Sequence, residues 1–204
     1  YLCNGWNSLP HLFRIGFYAV DQRYVRHEKT KCFRLMIWLE EIQSRKKLSR
    51  IYRPYEKTFP PDERRDEDQF LTLLEKPECF IFTIKKESES VGYLILWKCS
   101  DFHFLEHFEI YEEFRNLKLG SQLLAILREK FGDIILESEP VQLNAMAESR
   151  INFYLRNGFQ IISEDYIQPS YGTGKNSLHL FLLANFHTTD IKSAETEIHQ
   201  TVYF

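Results

Sequence analysis

Residues Phe102–Phe131 read FHFLEHFEIYEEFRNLKLGSQLLAILREKF. The first ten, Phe102–Tyr111, are aromatic and alternate, which suits a strand at least half buried. Leu119, Leu123, Leu127 and Phe131 then recur every four residues, as on one face of a helix. Between them Glu112–Lys118 is a polar turn leading to Gly120-Ser121. The unit is a long strand, a tight turn and an amphipathic helix with a glycine in its first turn. A helix N-terminus carries unpaired backbone N–H groups and a partial positive charge, so such a turn suits phosphate. The glycine is expected to let a ligand come close to the backbone.

Upstream of this unit, Met36–Glu40 reads as a first strand. Leu48, Ile51, Tyr52, Tyr55 and Phe59 line one helical face, with Pro54 expected to kink or split the helix. Phe59-Pro60-Pro61 stops it. A second helix follows, with acids at its start and Phe70, Leu73 and Leu74 as its buried stripe. The charge run Asp62–Asp68 reads as a solvated face. Cys79–Lys85 and Val91–Lys98 form a hairpin that the long strand extends into a meander. Downstream, Asp133–Glu137 is a short apolar strand, and strand–helix–strand implies a parallel pairing with a crossover. Ala147–Asn157 is a helix ending at Gly158. Phe159–Ile162 and Ser177–Ala184 are the last strands, joined by a long loop, Glu164–Asn176, of the kind that serves binding. Residues 185–204 lack periodicity and read as a loose tail. Residues 1–35 read either as an extension packed on the domain or as an upstream addition. The clean start of the pattern at Met36 favours the second.

With 204 residues the chain suits one domain with a full core, and is short for two. A net charge of −3 gives no reason to expect nucleic acid or an anionic membrane as partner. Apolar runs fall short of a membrane span, and the first residues do not form a secretory signal. The four cysteines are scattered without CxxC spacing, as for reduced thiols in a cytoplasmic protein. His103 and His107, four apart on a strand, are about 13 Å from each other and cannot share a metal ion. There is no GxSxG elbow, and Gly172-Thr173-Gly174 lacks the third glycine and the context of a dinucleotide site.

Two segments carry a family resemblance. Arg115-Asn116-Leu117-Lys118-Leu119-Gly120 resembles the Arg/Gln-x-x-Gly-x-Gly/Ala signature of the GNAT superfamily of acyl-CoA-dependent N-acyltransferases, with Lys118 where the signature has its first glycine. Ile151-Asn152-Phe153-Tyr154-Leu155-Arg156-Asn157-Gly158-Phe159 is similar to the family's Phe-Tyr-x-x-x-Gly-Phe motif. The resemblance runs roughly from Met36 to Ala184. It implies an α/β fold of α+β type: a mixed, mostly antiparallel sheet, splayed between strands four and five, with helices on both faces. It implies acetyl-CoA as co-substrate, no metal, and acetyl transfer to an amine of a small molecule or peptide, by a monomer or homodimer. CoA would be held by the loop Arg115, Asn116, Leu117, Lys118, Leu119, Gly120 and Ser121, and by the strand residues Phe108 and Ile110.

Acyl transfer to an amine needs a proton acceptor for the amine and a proton donor for the departing thiolate. The resemblance makes Tyr154 the donor; the other reading is a core tyrosine tied to a backbone group. Strict alternation puts His103, His107, Glu109 and Tyr111 on one face and Phe104, Glu106, Phe108 and Ile110 on the other. Glu109, just before the turn, is the candidate base. Glu106, a carboxylate among apolar neighbours, and Glu137, ending the next strand, are further candidates. The rival function is a non-catalytic acyl-CoA-binding module, for which Lys118 speaks.

Overall fold

The computed structural model describes residues 37–203; the expectations for residues 1–35 lie outside that range. In order, the chain forms β1 (Ile37–Glu41), α1 (Arg45–Thr58), α2 (Glu67–Leu71), β2 (Cys79–Lys86), β3 (Glu89–Lys98), β4 (His103–Ile110), α3 (Leu119–Phe131), β5 (Ile134–Ser138), α4 (Ala145–Arg156), β6 (Gln160–Gln168), β7 (Leu178–Ala184) and α5 (Ile191–Ile198). Short 3₁₀ turns flank α2 and follow β4, and a single π turn, His199–Tyr203, follows α5.

The seven strands form one sheet in the order β1-β2-β3-β4-β5-β7-β6. All neighbours are antiparallel except β4 and β5. That parallel pairing is brief, joining His103–Leu105 to Ile134–Leu136. Beyond it β4 stays paired with β3 as far as Ile110, while β5 turns to β7 through Ser138. Each branch keeps its own partner, so the sheet forks between β4 and β5, as the resemblance implies.

One core lies on the face of α1, α2 and α5 and includes Leu48, Tyr55, Phe70, Trp97 and Ile198. The other lies under α3 and α4 and includes Leu119, Leu123, Leu127, Ile151 and Tyr154. A fully buried leucine contributes about 1.5–3 kcal/mol, so the four-residue period of α3 suffices to seat it on the sheet. Ser44 caps α1 and Asn144 caps α4, each accepting from N–H groups of the first turn. Pro54 lies inside α1 without ending it.

Three expectations change. The charged segment from Asp62 does not build one helix. It makes a 3₁₀ turn, the five-residue α2 and another 3₁₀ turn. The loop expected from Glu164 begins later, because β6 continues to Gln168 through two register shifts at Ser163 and Tyr166. The polar Ser163-Glu164-Asp165 sits in that irregularity, which hides the strand from a period-two reading. Finally, the segment after Asn185 is not loose. Ala194, Ile198 and Val202 are buried in the core beside α1.

Candidate active site

The site is set by one extra residue in β4. Ile95 stands opposite His107 and Leu96 opposite Leu105, so Glu106 is bulged out of the ladder. The bulge resets the alternation. His103 lies against Phe131 of α3, whereas His107 lies against Tyr55 of α1 and Phe59 just after it. His103 therefore does not share a face with His107, and Glu106 does not share one with Phe108 and Ile110. Instead Glu106, His107 and Glu109 all turn toward α1 and the segment after it.

Glu106 is fully engaged. Arg65 donates to it, as do Trp97 Nε1 and the Tyr171 hydroxyl, both at 2.7 Å. Burial opposes its charge, but Arg65, His107 and these donors hold its carboxyl below the ordinary value. The Arg65 guanidinium lies 4.8 Å from the Tyr171 ring centroid and 5.5 Å from that of Trp97, and it donates to Val202 O at 2.7 Å. Arg65 is thus a buried strut, not a member of a solvated face. Glu106, with three donors, is not free to act as a base. Glu137 is not among the residues lining the cleft. Its carboxyl takes a hydrogen bond from the Tyr203 hydroxyl at 2.9 Å, and burial pushes it up to about 8.

Glu109 is different. Its Oε1 accepts from Thr58 Oγ1 at 2.8 Å and lies 3.7 Å from an Arg115 nitrogen, while its Oε2 is buried without a hydrogen-bond partner. Gly92 of β3 allows this. A Cβ there would be 2.0 Å from Glu109 O, so only glycine lets the two backbones approach. Tyr111 N–H bonds to Val91 O. By alternation, the backbone polar groups of Phe108 and Ile110 face away from β3 into the fork. Arg115 Nε reaches Ile110 O there, at 3.1 Å.

The turn into α3 is left-handed at Asn116 and Lys118, with φ of 64° and 59°. Lys118 caps α3 without a side-chain hydrogen bond. The position given to glycine in the family signature does need a positive φ, and lysine adopts it here at a cost of about 1–2 kcal/mol. The N–H groups from Asn116 to Ser121 have no hydrogen-bond partner among the described residues. Gly120 has another reason to be glycine. A Cβ there would meet the Phe153 ring at 3.1 Å, so the glycine gives room to α4 as well. Leu119 points into the core and Leu117 outward.

A cleft of about 1310 Å³ opens at the fork. Phe108, Glu109, Ile110, Arg115, Asn116, Lys118, Leu119, Gly120, Ser121 and Tyr154 line it; Leu117 does not. Arg53, Lys57, Arg150 and Arg156 add positive charge. That volume exceeds the roughly 300–1,000 Å³ of an ordinary small-ligand site, and the unpaired N–H groups beside these cations fit a large polyanionic ligand. Tyr154 packs beside Phe108, Phe153 and Phe159, and burial pushes its hydroxyl up to about 12. The hydroxyl has no partner among the described residues, so it is not the tied core tyrosine of the alternative reading. The cleft thus joins a turn with unpaired N–H groups, a protonated phenol and a buried carboxylate with one free oxygen. Among the described residues no cluster of His, Cys, Asp or Glu could hold a metal ion, and no helix is long and apolar enough to cross a membrane.

Thr58, Gly92, Tyr171 and the inward turn of Arg65 escaped the sequence reading. Gly92, inside an apolar run, was the one with a local signal.

In sequence, residues 45–159 match the family model described as the Acetyltransferase (GNAT) family. No protein of curated function matches the chain. Among solved structures, a GNAT-family protein from Bacteroides thetaiotaomicron is 26% identical, with a TM-score of 0.73 over 81% of this chain and 98% of that one. Two others are similar in fold. The ribosomal-protein-S18-alanine N-acetyltransferase from Escherichia coli is 16% identical, with a TM-score of 0.53 over 76% of this chain and 97% of its own. An acetyltransferase from Thermus thermophilus is 17% identical, with a TM-score of 0.54 over 74% of this chain and 96% of its own.

Proposed function

The chain belongs to the Acetyltransferase (GNAT) family, and from that membership we propose that it moves the acetyl group of acetyl-CoA to a primary amine of a small molecule or peptide. One observation carries the reading. Asn116 and Lys118 to Ser121, whose backbone N–H groups are unpaired, line the same cleft as Tyr154 and Glu109. In this reading the CoA pyrophosphate rests on those N–H groups, and the Lys118 ammonium adds a charge-assisted contact. The arm of the cofactor runs along the exposed edge of β4, and a backbone N–H of Phe108 or Ile110 polarises the thioester carbonyl. Binding brings the amine and the carbonyl carbon into line. Glu109 Oε2 takes the proton that the amine nitrogen loses as its bond to carbon forms. As the carbon–sulfur bond breaks, Tyr154 gives its proton to the thiolate. Cytoplasmic residence belongs to the same reading and rests on the scattered thiols.

The rival is a module that binds acyl-CoA without turning it over. Its support is Lys118, a lysine in a left-handed conformation where the signature has glycine. Both bind CoA, so turnover separates them. Acetyl-CoA is offered with a panel of amines, and free thiol is followed for the native protein and for Glu109→Gln. Thiol release that depends on an amine, and falls about 10²–10⁴-fold in Glu109→Gln, is the expected result. CoA binding without thiol release for any amine would favour the module.

A further inference from the structure

We propose that Thr58, the last residue of α1, is the positioning residue for the carboxylate of Glu109; this rests on the reading of Glu109 as the base. The argument starts from the two oxygens of that carboxylate. Oε1 has a donor, the Thr58 hydroxyl at 2.8 Å, and Oε2 is buried with none. One oxygen is fixed, and the other is left for a proton. The remaining freedom of the side chain is rotation about its terminal bonds, and the Thr58 bond removes it. The Tyr93 hydroxyl already lies beside the carboxylate, but without a hydrogen bond of good geometry, so it does not fix Oε2. Glu109 and Tyr93 face each other across the β3–β4 ladder.

The titratable and charged groups that face Glu109 are Arg115 from the turn before α3, Tyr93 from β3 and Tyr111 from the end of β4. Arg53 and Lys57 of α1 line the same cleft. Of these, only Arg115 is within 4 Å as an ion pair, and at 3.7 Å with an exposed side chain it is a weak one. Thr58 is therefore the close donor. It is exposed, so the bond between it and Glu109 reaches from the buried carboxylate to bulk water. Its backbone N–H and C=O lie in the last turn of α1, so its side chain is not what ends the helix. That role belongs to Phe59, whose N–H bonds to Tyr55 O.

The test needs neither acceptor nor cofactor. In the full chain labelled with ¹³C at glutamate carboxyls, the Glu109 signal is assigned by its loss in Glu109→Gln, and its chemical shift is read at one fixed pH. Thr58→Val, close in shape but without the hydroxyl, is expected to displace that signal. Thr58→Ser, which keeps the hydroxyl, is expected to return it. Circular dichroism checks that all variants fold. If Thr58→Val leaves the signal at its native position, or Thr58→Ser displaces it as far as Thr58→Val, the proposal is overturned. Its failure is distinct from failure of the base reading, which is decided by the activity of Glu109→Gln. Where an amine is accepted, Thr58→Val is expected to lower kcat while the KM for acetyl-CoA stays near the native value.

Discussion

Glu106 and Glu109 are three residues apart on one strand, and their surroundings give them opposite uses. Glu106 is saturated by Arg65, Trp97 and Tyr171; Glu109 keeps one oxygen free. That Glu106 would need a partner followed from the sequence, because a lone carboxylate among apolar residues must find one. That the partner is Arg65 did not follow. Arg65 sits in the run DERRDED, where nothing local separates the buried arginine from its less buried neighbours. Its burial depends on a 3₁₀ turn and on Trp97, Tyr171 and Val202, all distant in sequence. The place of Tyr154 on the buried face of α4 was legible because its motif and its helical face agree. If it protonates the thiolate, Tyr154→Phe lowers the turnover number by about 10²–10⁴-fold. CoA affinity measured by calorimetry stays near the native value, since the ring remains. A lowered melting temperature with native turnover would instead make it a core residue.

Element by element, the strands and helices with a sustained period were readable, and those with an irregularity were not. The bulge at Glu106 inverted the face assignments on one side of it. The two shifts in β6 hid half a strand. A bulge is set by the partner strand as much as by its own residues, so its position cannot be read from alternation. Helix α5 was missed for another reason. Its only buried residues are Ala194 and Ile198, too few to give a clear stripe. Its weight in the fold is nonetheless measurable. Ile198 is fully buried against α1 and the sheet, so Ile198→Ala is expected to lower stability by about 2–5 kcal/mol in urea denaturation. An unchanged midpoint would return the segment to a dispensable tail.

Across the whole molecule, the buried ionisable groups give stability a definite pH dependence. Burial lifts Glu137 from its ordinary 4.5 to about 8. Between those values the folded protein holds a proton that the unfolded chain has lost. Its contribution is therefore full below about 4.5, falls as pH rises, and is gone above about 8, at up to about 1.4 kcal/mol per pH unit. His107, kept below its ordinary 6.5 by burial, works the other way: its contribution is present above that value and is lost as pH falls. Glu137→Gln removes the first contribution only. The variant is expected to gain on the native protein in melting temperature from about pH 5 to about pH 8; parallel curves would show that Glu137 is ionised in the fold. The same buried region sets an order on synthesis. Arg65 donates one hydrogen bond to its carboxylate partner 41 residues later and another to Val202 O, 137 residues later. At roughly 5–20 residues per second, a ribosome adds Val202 roughly 7–27 s after Arg65. The matched family segment, residues 45–159, is finished well before then. The nascent chain can therefore pair β1 to β5 while one guanidinium nitrogen still lacks its acceptor, and only translation of α5 and the turn after it closes that bond.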